Sequence, residues 1–405
     1  MKILVLPGTV WQIPLMRKIK SLGLEVYVAN PVKNEEVYQI ANGFCQSDIF
    51  DFDRILSYCR DNGIRAVMSE ECDIATDVVA KLNADLGTRC ITPELASLFT
   101  NKYQMREFCG VHNICPVPHR LCKNIRETQE AFRELGPCAI LKPLDSNASH
   151  GVFTIRSSTD IETHFEESMG FSRNSKAVLL EKYISGTEFT VDGIMTPHGH
   201  VTLAISQKSH YKHNDNIANS LYFTQRNDKY DYDLLRATND HLLNTTHLPF
   251  GLTHVEYKFC EGKYYLIEMA ARGGGNLISA IIAPFMSGVD NYDYLIRSTL
   301  TPNYDKKVIA DTHNDRTAIL KFFDLPCEGG IVTEIRGEEY LRSEPSIKSY
   351  KLNFQVGDYI YQPRNDSVRI GYYIICAETK EKFDKVMKEI NEKFEIVIKE
   401  QVTNT

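Results

Sequence analysis

A strand–helix–strand alternation over residues 1–90 constrains the fold of this chain more than any other feature. Residues 2–6 are a short apolar run that ends at Pro7-Gly8, and Leu15, Met16, Ile19 and Leu22 then follow at helical spacing. Gly23 stands where a helix-terminating glycine belongs, and residues 24–29 read as the next strand. A helix between two strands carries the chain back to the same end of the sheet, so the strands run parallel. The pattern repeats. Residues 53–62 are helical, 65–69 a strand, and Asp73 is expected to cap a helix with Ile74, Val78, Val79, Leu82 and Leu86 on its apolar face before Gly87. The expected fold is α/β, opening with a small doubly wound parallel domain. Its first turn is no dinucleotide fingerprint, because Thr9, Val10 and Trp11 put side chains where G-x-G-x-x-G needs bare backbone.

At 405 residues the chain exceeds one ordinary core, so several domains are expected. Lys and Arg number 46 against 53 Asp and Glu, a net charge of -7 without a basic block, so neither nucleic acid nor an anionic membrane is an expected partner. The apolar start breaks at Pro7 and meets Arg17, Lys18 and Lys20, unlike a secretion signal. No uncharged apolar run reaches the roughly 18 residues that span a bilayer, and Pro284 interrupts the apolar segment 277–286. A cytoplasmic location is expected. The 11 cysteines are scattered without CxxC pairs and read as reduced and structural.

From Asn124 the signals are local. Asn124-x-x-Glu127 reads as a capping box for a helix that runs to Leu135 and stops at Gly136-Pro137. A strand at 138–141 delivers Lys142 to a loop of small polar residues, Asp145-Ser146-Asn147-Ala148-Ser149-His150-Gly151. Residues 177–183, 188–195 and 201–208 read as antiparallel strands, the last two turning around Pro197-His198-Gly199, and 209–230 as a long loop. Residues 310–400 hold short strands and one helix, whose stripe of Phe383, Val386, Met387, Ile390 and Phe394 is core packing.

One hairpin carries the sharpest chemical inference. Strands 251–260 and 264–270 flank Glu261-Gly262-Lys263, and a three-residue turn sets Glu256 opposite Glu268 and His254 opposite Ala270 on one face. Val255, Tyr257, Ile267 and Met269 then face the core. Opposed like charges are destabilising, so the two carboxylates need a proton, a lysine or a metal between them. Lys258 offsetting a solvated face is one reading; a hard-cation site that Mg²⁺ shares with nucleotide phosphates is the other. Just beyond, Arg272-Gly273-Gly274-Gly275-Asn276 offers a guanidinium fork and bare N–H groups to an anion, or is a flexible turn. Lys142 and its loop suit phosphate but lack the Walker spacing.

In chain order, Asn101-Lys102-Tyr103-x-x-Arg106, Ile140-Leu141-Lys142-Pro143 with Ser149-His150-Gly151-Val152, Glu181-Lys182-Tyr183-Ile184-x-Gly186-x-Glu188, and Glu256 with Glu268-x-x-x-Arg272 resemble the ATP-grasp superfamily. The likeness is nearest to its biotin-carboxylase-like and L-amino-acid-ligase branches. It implies ATP with Lys102 and Lys142 on the α- and β-phosphates, under a flap at 145–151 that includes Ser149, His150 and Gly151. It implies adenine at a hinge of Glu181, Lys182, Tyr183 and Ile184, and ribose hydroxyls at Glu188. Mg²⁺, with Mn²⁺ as a substitute, falls to Glu256 and Glu268. Arg272, Lys142 and Glu268 become the catalytic residues, Arg272 on the transferred phosphoryl group, and Gly273, Gly274 and Gly275 the turn facing the substrate carboxylate.

The stretch 206–226, with Gln207, Lys208, His210, Lys212, His213 and Tyr222, either shapes the acceptor pocket or is a solvated loop; of these, Lys208 and His210 are taken as substrate residues. His254 is a base, an outer partner or a satisfied histidine beside the site. Two departures stand out: Ala270 replaces the Asn that many relatives use as a metal ligand, and the flap is poor in glycine. The implied division is 1–95 for the N-terminal domain, 96–305 for the nucleotide-binding and catalytic domain with a lid near 138–185, and 306–405 for a C-terminal mixed α/β region. The implied activity is an ADP-forming ligase for a small carboxylate and a small amine, with a homodimer the commonest assembly of soluble chains. A bicarbonate-using carboxylase, a phosphotransferase and a non-catalytic nucleotide-binding module are the alternatives.

Overall fold

Four parallel strands open the chain, ordered Gly43–Gln46, Glu25–Asn30, Lys2–Val5 and Ala66–Met68 across the sheet. Alternation within Lys2–Val5 decides why helices cover both faces. Ile3 and Val5 pack with Leu15, Met16 and Ile19 of the helix Ile13–Ser21, while Leu4 packs on the other side with Ile55 and Leu56 of the helix Phe52–Asn62. The sheet is therefore doubly wound. A short helix, Glu35–Ile40, and the strand Gly43–Gln46 complete it and were not among the expected elements. The computed structural model describes residues 1–146, 149–172 and 175–399, so Asn147 and Ala148 of the expected flap lie outside the described residues.

Asp73 does not cap a helix as expected. It opens the 3-10 turn Asp73–Ala75 ahead of Thr76–Leu86, and its carboxylate is drawn instead to a guanidinium far along the chain. Asn124 does cap its helix, accepting from the Glu127 N–H at 2.9 Å, but Glu127 reaches back to the Lys123 N–H at 2.8 Å, so the box is displaced by one residue.

A four-stranded antiparallel sheet follows, ordered His119–Cys122, Val178–Lys182, Ala139–Pro143 and Phe153–Ile155. With the helices Ile125–Leu135 and Ser158–Gly170 it has a core of its own. The largest sheet has eight strands, from Lys263–Ala270 through Gly251–Cys260, Thr187–Thr196, Gly199–Tyr211, Asn214–Phe223, Thr317–Phe322 and Gly371–Ala377 to Ile347–Leu352. The long loop expected over 209–230 is thus largely strand, with a turn at Lys212-His213. Register shifts between Ser209, His210 and Tyr211 break the period-2 pattern that would have disclosed it. Because Asn214–Phe223 pairs with Thr317–Phe322, the sheet runs unbroken into the C-terminal part.

Three further strands, Tyr359–Tyr361, Gly329–Arg336 and Glu395–Lys399, close the C-terminal part beside the helix Lys380–Lys393. Phe383, Val386 and Ile390 are buried there as expected, each burial stabilising by about 1.5–3 kcal/mol. All 11 cysteines are free. Among the described residues no helix is long and apolar enough to cross a membrane.

Candidate active site

The hairpin that carries the acid pair turns more tightly than expected. Cys260 pairs with Lys263 across a two-residue turn in which Glu261 and Gly262 both take positive φ, 49° and 78°, the geometry that matches strand twist. On its own this turn would set Glu268 opposite Val255 and aim it into the core, since a one-residue slip reverses every side chain. A bulge at Ile267 restores the register, so that Glu256 lies opposite Glu268 and His254 opposite Ala270. The expected pairs are correct, and the expected three-residue turn is not. Ile267 also leaves the core: it lines the site, and its carbonyl accepts from Arg106 Nη2 at 2.7 Å.

The acid pair opens into a cavity of about 390 Å³ lined by Lys102, Lys142, Ser149, Glu181, Lys182, Tyr183, Ile184, Glu188, Lys208, His210, Glu256, Glu268, Arg272 and Gly275 among others. Residues from five separate stretches of sequence thus converge on one space. Two lysines hold the opposed carboxylates apart, Lys208 at 2.7 Å from Glu256 and Lys102 at 2.7 Å from Glu268. Lys258, one candidate for that role, pairs with Glu188 at 3.3 Å instead. Burial works against ionising Glu256, but Lys208 and His254 hold it well below the usual carboxylate range. His210 Nε2 lies 3.1 Å from Glu188, whose carboxyl is likewise lowered against the cost of its burial.

Behind the phosphate-side lysines stands a buried ion triad. Glu181 accepts from Arg106 Nε at 2.6 Å and from Lys142. Burial alone would raise Glu181, yet the two cations bring it down to about 2. Burial lowers Lys142 to about 8, with Glu181 opposing. The Glu181 side chain is therefore engaged by protein groups. Along the hinge, the N–H groups of Lys182 and Tyr183 donate to the carbonyls of Pro118 and Cys138 at 2.8 and 3.2 Å.

The glycine turn departs most from expectation. The N–H groups of Gly273 and Gly274 do not face the cavity; they donate to the carboxylates of Glu70, at 3.2 Å, and Asp192, at 2.9 Å. Leu277 N–H donates to Glu71 at 3.1 Å, from a left-handed φ of 65° that a leucine rarely adopts. These glycines are small because acids press on them: a Cβ on Gly274 would sit 2.4 Å from Asp192 Oδ1. Arg272 lines the cavity but gives its fork to Asp73, Nε at 2.7 Å and Nη2 at 2.6 Å. Burial raises Glu70 to about 7 and Glu71 to about 8, with the donated N–H groups pulling the other way.

His254 lines the cavity as a satisfied histidine, Nδ1 at 3.0 Å from Asp192 and Nε2 at 3.5 Å from Glu256. Burial would lower it, and the two carboxylates lift it to about 9. Of the stretch 206–226, Lys208 and His210 reach the cavity, as do Asn216, Ala218 and Leu221, whereas Gln207 bonds Asn227 at 3.2 Å and Tyr222 packs on Phe383. On the flap, Ser149 lines the cavity and donates to Asp366 at 3.0 Å. His150 and Gly151 do not line it; His150 stacks on Phe171 and lies 3.3 Å from Ser367.

Sequence reasoning missed Glu70, Glu71, Asp192, Asp366 and Arg369, and misassigned Asp73. A signal for the first two was present: Ser69-Glu70-Glu71-Cys72-Asp73 follows a parallel strand, at the end where such sheets place ligands.

Residues 136–280 match the ATP-grasp domain family and 323–399 the L-amino acid ligase C-terminal domain 2 family. Dapdiamide A synthase of Enterobacter agglomerans is 26% identical over 196 residues, 47% of this chain and 46% of that protein. The chain thus aligns with about half the length of this curated relative. The whole chain has the fold of L-amino acid ligase from Bacillus licheniformis, with a TM-score of 0.85 at 15% identity over 98% of this chain and 99% of that one. The biotin carboxylase domain of the Hydrogenobacter thermophilus 2-oxoglutarate carboxylase, a dimer in complex with MgADP, ADP and bicarbonate, gives a TM-score of 0.70 at 17% identity over 98% and 91%.

Proposed function

We propose, from the match of residues 136–280 to the ATP-grasp domain family and of 323–399 to an L-amino acid ligase domain, that the chain is an ADP-forming ligase that joins a small carboxylate to a small amine. One observation carries the reading: Glu256 and Glu268 oppose each other directly, each neutralised by its own lysine, in a cavity that also holds Lys142. Two ammonium groups stand where a nucleotide-bound cation would bring its charge. Mg²⁺ fits this pair, and Mn²⁺ would suit the same hard oxygens. Among the described residues no three acidic, histidine or cysteine side chains gather to hold a metal alone, so an ion held by Glu256 and Glu268 would need phosphate oxygens and water as its other ligands, Ala270 contributing nothing. Bound there, the ion would neutralise phosphate charge.

The protein's own groups supply the rest. Lys102 and Lys142 bind the phosphates, Glu188 the ribose hydroxyls, and Glu181 holds Lys142 in place. An oxygen of the substrate carboxylate attacks the γ-phosphorus, the bond to the β,γ-bridging oxygen breaks, and ADP leaves. The amine nitrogen then attacks the acyl carbon, gives up a proton, and inorganic phosphate departs with an acyl oxygen. Arg272, oriented by Asp73, stabilises the charge on the transferred group. The flap, with Ser149 at its edge, excludes water from the acyl phosphate.

The proposed division remains 1–95, 96–305 and 306–405 with a lid near 138–185, although the separate core of the four-stranded sheet begins earlier, at Cys122. A cytoplasmic homodimer is the proposed setting. The test is nucleotide turnover with Mg²⁺ across a matrix of acids and amines. ADP release that requires one acid and one amine together is expected. Release with acid alone identifies a phosphotransferase, release with bicarbonate alone a carboxylase, and AMP as product defeats the acyl-phosphate mechanism. Binding of ATP without turnover throughout points to the non-catalytic module.

A further inference from the structure

The space around the acid pair continues into a second cavity of about 400 Å³. The two share Glu71, Gly275, Asn276, Phe322, Asp366 and Arg369, so a molecule in the second reaches the first through that boundary. None of residues 206–226 lines it. Its walls come from the N-terminal turn, through Trp11, and from the last strands of the eight-stranded sheet.

Resting on the ligase reading, we propose that this second cavity holds the amine substrate, and that the amine carries an anionic group, carboxylate or phosphate, on an apolar body, with Lys351 as the residue that selects it. Strand register sets the arrangement. Tyr372 pairs with Phe322 on one side and with Lys351 on the other, which puts the three in a row on one face of the sheet. Asn353, just past the end of the strand Ile347–Leu352, lines the same cavity, its N–H donating to the Ile370 carbonyl at 2.9 Å. Trp11 approaches from the opposite wall with its ring 6.1 Å from Tyr372. The result is an aromatic channel with an ammonium at its outer end.

The other charges lining it are already matched. The Arg369 guanidinium lies 3.5 Å over Phe322 and pairs with Asp366, and Glu71 accepts the Leu277 N–H. Lys351 has no salt bridge among the described residues, so its charge is available to a ligand. The anionic end of the amine sits at Lys351, its body lies along Tyr372, Phe322 and Trp11, and its nitrogen points through the shared boundary toward the acyl phosphate. Ser149 and His150 touch the rim of the same cavity, through Asp366 and Ser367.

The experiment compares kcat/KM, by ADP release, for amines that share one body and end in a carboxylate, a phosphonate or a neutral carboxamide. The natural chain should favour one anionic form over the carboxamide by about tenfold or more, as a charge-assisted contact provides, and the carboxylate and phosphonate arms show which anion is meant. Lys351→Met should bring that ratio close to one, and Lys351→Glu should invert it. Lys348→Met, on a lysine that donates to the Pro345 carbonyl and lies outside the cavity, should leave the ratio intact. A ratio near one in the natural chain, or one that survives Lys351→Met, overturns the proposal while leaving the ligase standing. If no amine of any charge elicits ADP, the ligase reading itself fails, and this inference with it.

Discussion

The acid pair and the glycine turn are near neighbours along the chain, yet they hold their charges in opposite ways. Glu256 and Glu268 are neutralised by lysines, groups that phosphate oxygens can recruit when a nucleotide arrives. Arg272 pairs with Asp73, and the N–H groups of Gly273, Gly274 and Leu277 donate to the carboxyl groups of Glu70, Asp192 and Glu71, so these donors are committed to acceptors within the protein. The first region is built to exchange partners. The second is a buttress that ties the N-terminal domain to the floor of the site.

The largest expected effect belongs to the first region. Glu256→Gln or Glu268→Gln removes a carboxylate from the opposed pair. Turnover should fall by about 100-fold or more. The thermal unfolding midpoint without nucleotide should fall as well for Glu256→Gln, which strands the buried Lys208 and His254, and less for Glu268→Gln, whose carboxylate is more exposed. A variant that keeps its turnover would show that the opposed acids are not the metal pair. Asp73→Asn tests the second region. It strips one partner from a half-buried bidentate pair, and a loss of roughly 1–3 kcal/mol in urea unfolding is expected, below the fully buried range because both groups retain some solvent. The KM for the carboxylate substrate should rise with it, since Arg272 loses its orientation. Unfolding identical to the natural chain would remove the buttress.

Protonation separates the regions further. Glu70 titrates near 7 in the fold against an ordinary value of 4.5, because burial outweighs the donors around it. Between those values the folded chain keeps a proton that the unfolded chain gives up. Stability contributed by this group is therefore present below about 4.5 and is lost as pH rises through about 7. Glu70→Gln keeps an acceptor for Gly273 and abolishes the titration. Relative to the natural chain it should gain up to roughly 3 kcal/mol between pH 5 and pH 8, read as urea midpoints at the two pH values. Parallel pH profiles would show Glu70 to be ionised throughout.

What could be read from sequence follows the same division. The acid pair was legible because strand alternation and turn length are local, and because lysines and glycines in a fixed order resemble a family. The buttress was not. Nothing near Asp73 announces a partner 199 residues away in Arg272, and a helix cap was the better local use of that side chain. The strand Asn214–Phe223 was hidden for another reason: bulges in its partner break the alternation, and Asn214, Asp215 and Asn216 give it a polar start. The glycines of the turn were visible, but their cause was not, since crowding by Asp192 and Ser279 exists only in the folded chain.

The smallest predicted effect tests why the acid pair was found at all. Its register rests on two features that the sequence reading combined into one, a two-residue turn at Glu261-Gly262 and a bulge at Ile267. A two-residue turn displaces the strand by one position relative to a three-residue turn, and the bulge displaces it back. The site depends on the second, because Arg106 Nη2, on the helix Lys102–His112, donates to the Ile267 carbonyl and fixes the bulge. Gly262→Ala should therefore cost only about 1 kcal/mol, the price of a side chain at positive φ, and leave turnover unchanged within about twofold. If turnover instead falls in step with the Glu256→Gln variant, the turn and not the bulge holds Glu268 on the cavity face.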